Sequence, residues 1–88
     1  MTHPETHIDV AVHTTAGRFP ASGYDSTPVH QKIRIMLERA AKALKITNID
    51  QWVARVEGKE LDPNATYLES NLHGKIVIDF GPRESGGG

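Results

Sequence analysis

The chain has no cysteine, so disulfides, thiolate metal sites, thiol nucleophiles and thioester-forming side chains are all excluded. An excess of charge of one sign is lacking too. Ten basic side chains balance against eleven acidic ones for a net charge of -1, which carries no electrostatic footprint for nucleic acid and steers toward no obvious partner. No stretch approaches the roughly 20 apolar residues that span a bilayer. The opening "MTHPETH" has no apolar run, so neither a secretory leader nor a membrane anchor is expected, and the cytoplasm is the default compartment. Repeats, heptads and low-complexity segments are missing apart from the terminal glycines. What remains is 88 residues, 38% apolar and 24% charged, enough for one domain with one core and too apolar for a disordered chain.

Residues 1–6 offer nothing to bury and read as a flexible leader, 7–81 as the folded domain, and 82–88 as a flexible tail. In "HIDVAVHTTAGRF", Ile8, Val10 and Val12 alternate with polar or small neighbours at the period of a half-buried strand. Thr14 to Gly17 reads as a turn, and "RFPASGY" as a second, edge strand, since Pro20 donates nothing to a ladder. The strongest pattern is "DSTPVHQKIRIMLERAAKALKI". Thr27 stands as a cap and Pro28 at the first helical position, which predicts a helix of about five turns. Its apolar stripe is Val29, Ile33, Met36, Leu37, Ala40, Ala43 and Leu44, and Ile35 falls among the charges. "QWVARVEG" reads as a third strand that turns at Gly58, with Trp52 on the core side. A long tucked connection follows, in which Leu68 and Leu72 anchor a helical turn. In "KIVIDFG" Ile76, Ile78 and Phe80 point inward, before Gly81-Pro82 breaks the strand.

The order is strand, strand, helix, strand, small elements, strand. With right-handed crossovers this gives an α+β domain, a mixed sheet of four to five strands crossed by one helix, and the β-grasp is its simplest topology. At this point the chain resembles ubiquitin and its relatives. In "EGKELDPNATYLESNL" a Gly58-Lys59 turn leads to Leu61, then a Thr66-led turn and Asn71, similar to the ubiquitin segment before the last strand. The glycine tail extends the likeness over nearly all of 7–88.

The resemblance implies a protein modifier rather than an enzyme. An activating enzyme would adenylate the terminal glycine carboxylate with ATP, a conjugating enzyme would pass it on through a thioester to target lysines, and a JAB-type peptidase would trim or remove it. Gly86, Gly87 and Gly88 would thread the enzyme channel on a tether from Gly81 to Ser85. No cofactor or metal is implied. Lys59 matches a lysine that ubiquitin uses for chains, although a solvated turn lysine looks the same in sequence. Ubiquitin docks its receptors through an apolar patch whose strand positions are here Arg55 and Asp79. As an exposed ion pair these two would be worth at most ~1 kcal/mol. Together with Arg83 in a tail less basic than ubiquitin's, they point to a dedicated bacterial-type system.

Two other classes share these features. A sulfur carrier uses the same fold and an adenylated glycine terminus to make a thiocarboxylate, and a non-covalent β-grasp module would need no tail. A metal site on His7 and His13 is disfavoured, since six residues of strand separate them by about 20 Å. No serine stands in a strand-turn-helix nucleophile motif.

Overall fold

A computed structural model describes residues 6–83 of the chain. The alternation at its start becomes β1 (His7–Thr14), which buries Ile8, Val10 and Val12 on one face. A two-residue turn follows, in which the Thr14 hydroxyl accepts from Ala16 N–H at 3.0 Å and donates to the Gly17 carbonyl at 2.9 Å. β2 (Gly17–Phe19) returns antiparallel from this turn. Gly17 has φ +140°, and a Cβ there would stand 3.2 Å from Leu44 Cδ2 at the end of the helix. Gly17→Ala is therefore expected to cost about 1–3 kcal/mol in a urea titration. An unchanged midpoint would show that the position tolerates a side chain.

The second expected strand is split. β2 stops before Pro20, and β3 (Asp25–Pro28) resumes the pairing farther along the same edge of β1, with Thr27 opposite Ile8. This overturns the predicted helix start. Thr27 is a buried strand residue rather than a cap, and Pro28 closes the edge strand, where its missing N–H matters least. The helix α1 runs over Ile33–Ala43, about three turns instead of five. Its first N–H groups need no side-chain cap, because Ile33 and Arg34 donate to the carbonyls of Ala65 and Pro63 at 3.0 and 2.8 Å. Its C-terminus closes in a Schellman arrangement: Lys45 (φ +58°) donates to Lys42, and Ile46 donates to Ala41.

The buried helix face is Ile33, Met36, Leu37, Ala40 and Ala41, the i, i+3, i+4, i+7, i+8 stripe. Ala41 replaces the expected Ala43, which is exposed; Leu44 is half-buried, and so is Ile35, which the pattern had left among the charges. A 3₁₀ turn (Ile49–Gln51) leads into β4 (Trp52–Val56), and a tight turn at Glu57-Gly58 leads into β5 (Lys59–Glu60), a strand too short to read from sequence. Both turn residues have positive φ, +52° and +81°, as a two-residue hairpin of the type I′ kind requires.

The connection to the last strand is anchored by Tyr67 rather than by Leu68 and Leu72. Tyr67 is fully buried and Leu68 is 50% exposed, while Leu72 only flanks the core. The cause is a reciprocal cap, in which Thr66 Oγ1 accepts from Glu69 N–H at 3.0 Å and Glu69 Oε1 from Thr66 N–H at 2.9 Å. It fixes a single turn that points Tyr67 inward, and Leu68 N–H ties this turn to the Val29 carbonyl at 3.0 Å.

β6 (Lys75–Pro82) buries Ile76, Ile78 and Phe80, and it continues through Gly81-Pro82, where a break was expected. The break does not occur because β4 is alongside: Val53 pairs with Gly81 and Trp52 with Pro82. Six strands form one sheet in the order β2-β1-β6-β4-β5, with β3 also on β1, and only the central β1–β6 pair is parallel. The core lies between α1 and one face of this sheet, and Trp52 meets Phe80 edge to face at 5.1 Å at its border. No helix among the described residues is long and apolar enough to cross a membrane.

Candidate partner-docking face and tail exit

The sheet face opposite the helix carries the residues that the sequence marks for partners. Strand register lines them up, because directly opposed residues share a face. Arg18 on β2 opposes His13 on β1, His13 opposes Asp79 on β6, Asp79 opposes Arg55 on β4, and Arg55 opposes Glu60 on β5. The row crosses five strands with four changes of residue type and alternating charge on its β6-to-β5 side. Arg55 and Asp79 do pair in register, but their side chains do not make the expected ion pair. Asp79 Oδ1 instead lies 3.7 Å from His13 Nδ1, with both side chains about two-thirds exposed at 64% and 67%. The parallel β1–β6 pairing brings a ring from the far end of the chain to this carboxylate, which no local pattern could reveal.

Next to this row Val77 is 40% exposed. Tyr24, from the loop between β2 and β3, has Arg18 at 5.2 Å and Lys75 at 5.5 Å from its ring, and so bridges the strands on both sides of β1. Ala11, outward on β1, is fully buried. The face is thus polar along the charged row, with Val77 and Tyr24, two of the three exposed large apolar side chains among the described residues, beside it. A shallow groove over Gly81, lined by His13, Arg55, Asp79 and Pro82, runs toward the end of β6.

Arg83 is held at that end. Its N–H donates to the Gln51 carbonyl at 3.0 Å, which extends the β6–β4 ladder by one bond, and its guanidinium Nη2 donates to Glu60 Oε2 at 2.8 Å. Of the expected tether from Gly81 to Ser85, Gly81 and Pro82 belong to β6 and Arg83 is bonded to the body, while Glu84 and Ser85 lie outside the described residues. Gly86, Gly87 and Gly88 lie outside the described residues. Lys59 is exposed at the start of β5, directly after the hairpin turn and opposite Val56. Glu60 and Gln51 escaped the sequence reading, since their roles depend on a two-residue strand and on the run of β6 past Pro82.

A mixed sheet with a parallel central pair formed by the first and last strands, crossed by one helix and closed by a short hairpin, decides the architecture. The fold is ubiquitin-like. Solved structures agree over almost the whole chain. One described as molecular mimicry of SUMO that promotes DNA repair superposes with a TM-score of 0.71 at 19% identity, covering 90% of this chain and 95% of that one. A de novo design based on ubiquitin gives 0.70 at 22% identity, with 98% and 99% covered. Ubiquitin of Caldiarchaeum subterraneum gives 0.65 at 13% identity, with 91% and 98% covered. At these identities the likeness is one of ubiquitin-like fold. No protein-family model matches the chain, and no curated protein matches it in sequence.

Proposed function

We propose that this chain is a ubiquitin-like protein modifier of a bacterial-type conjugation system acting in the cytoplasm. Its reactive group is the carboxylate of Gly88, and the chemistry on that group is carried out by partner enzymes rather than by the chain itself. The observation that carries the reading is the course of β6. The central strand of a ubiquitin-like fold runs unbroken to Pro82, so only Arg83, Glu84 and Ser85 separate the sheet from the glycine triplet.

In this reading the carboxylate oxygen attacks the α-phosphorus of ATP and pyrophosphate leaves. A thiol of the activating enzyme then displaces AMP to form a thioester, which passes to a conjugating enzyme. Finally a lysine amine attacks the thioester carbonyl, releases the thiol and forms an isopeptide bond. Glycines suit this passage because no Cβ obstructs a narrow channel. From Arg83, the five residues Glu84 to Gly88 span at most about 17 Å when extended, so the enzyme must come close to the end of β6. The charged row with Arg55 and Asp79, together with Arg83, is the proposed docking surface for such enzymes. Its charges at Arg55 and Asp79 oppose receptors that need apolar side chains at those two positions. Lys59 is the proposed acceptor if chains are built, and a JAB-type peptidase would reverse the bond or trim the terminus.

The test combines the full chain with ATP and candidate activating and conjugating enzymes from the same organism. Intact mass spectrometry should show an adenylate and then a lysine-linked product. Deletion of Gly86 to Gly88 should abolish both without moving the unfolding midpoint. A mass gain equal to sulfur in place of one oxygen would favour a sulfur carrier, and a product that survives the deletion would sink the reading.

A further inference from the structure

From the two bonds made by Arg83 we infer that Glu60 is a positioning residue that sets where the tail leaves the body. Its importance for conjugation rests on the modifier reading above, but the contact stands by itself. β6 could release its partner at Pro82, whose nitrogen has no proton to donate to the ladder. The chain is nevertheless held one residue farther, by Arg83 N–H on the Gln51 carbonyl at 3.0 Å and by Arg83 Nη2 on Glu60 Oε2 at 2.8 Å. The second contact is charge-assisted and crosses β4 to reach the far hairpin strand, so it joins the two ends of the β4–β5–β6 half-sheet. Glu60 has two cations to choose from. Its cross-strand partner is Arg55, yet the bond it makes is to Arg83. While the contact holds, an enzyme is offered the residues after Arg83. Once Arg83 is taken from Glu60, residues 82 and 83 can peel from β4 and add about 7 Å of reach. Glu60 thus limits the length of tail presented to an activating or deconjugating enzyme.

Trypsin is a suitable probe on the full chain, because its specificity pocket must take the Arg83 side chain before the Arg83–Glu84 bond is cut. Release of the fragment 84–88 from wild type, Glu60→Gln and Glu60→Lys would be followed by intact mass at low salt. Cleavage should quicken about two- to fivefold in E60Q, the range that an exposed ion pair supplies, and further in E60K. The ratio of E60Q to wild type should fall toward one at about 1 M salt, where the Debye length is about 3 Å. A purely structural loosening would keep the ratio at high salt and lower the urea midpoint. Equal rates at low salt, or a ratio insensitive to salt, would overturn the clamp. No conjugation enzyme is present in this assay, so that result leaves the modifier reading intact, whereas loss of the ATP-dependent product overturns that reading and leaves the clamp.

Discussion

Replacing Tyr67 by alanine is expected to cost about 3–5 kcal/mol, the range for deleting a buried aromatic ring. A chain of this length has about 4–13 kcal/mol in total, so Y67A should lose between about a quarter and all of that margin, read as a large fall in the urea midpoint by circular dichroism. Tyr67 is the largest fully buried side chain, and it joins the 66–71 turn to the cluster of Ile8, Val29, Ile33 and Met36. Truncation would open a cavity where the loop meets the helix N-terminus, whose first N–H groups rely on that same loop for carbonyls. Tyr67→Phe should behave differently. The hydroxyl is buried without a hydrogen-bond partner among the described residues, so its removal should be neutral or slightly stabilising. Burial, and after it the Asp25 carboxylate, push the Tyr67 hydroxyl above its ordinary pKa, and Arg39 opposes them. Above about pH 10 the unfolded chain gives up this proton while the folded chain keeps it. Stability should therefore fall as pH rises, by up to about 1.4 kcal/mol per pH unit. Y67F lacks this loss. Parallel urea midpoints for the two proteins from pH 8 to 11.5 would refute the assignment.

The second large effect contrasts neighbours in β6. Ile78 is fully buried, opposite Val12 in the central parallel pair, and Val77 beside it is 40% exposed on the other face. Ile78→Ala should cost about 2–5 kcal/mol, and Val77→Ala should stay within about 1 kcal/mol. Two denaturant titrations decide the matter. Comparable losses would mean that the outer face is packed against something, and the docking surface on it would have to be withdrawn.

The helix shows where sequence reasoning ran short. Thr27 and Pro28 are a sound start signal by local chemistry, yet the free edge of β1 lies within reach and Thr27 fits opposite Ile8. Pairing with β1 satisfies backbone groups over four residues, where a cap would satisfy one, and the helix gives up its first turn. The choice of Tyr67 over Leu68 has a similar origin. Spacing alone cannot say which side chain of an irregular turn points inward, and a reciprocal cap between Thr66 and Glu69 settles it. At the candidate site Arg55 and Asp79 were legible as outward positions because alternation has a period of two. Their neighbours His13 and Glu60 were not, since cross-strand register joins residues far apart in the chain.

By itself the sequence determined the two-faced strands β1 and β6, one amphipathic helix, the hairpin turn at Gly58, the absence of thiol chemistry and the glycine run beyond the last strand. Those features depend on local periodicity and residue type, which the chain carries wherever it goes. The tertiary structure alone decided that residues 25–28 pair instead of coiling, that Tyr67 fills the core, that His13 rather than Arg55 meets Asp79, and that Arg83 is held by Glu60. Apart from Tyr67, which the Thr66–Glu69 cap turns inward, each of these is a competition between distant partners for backbone groups or one charge, and its outcome depends on distances that exist only once the sheet has closed.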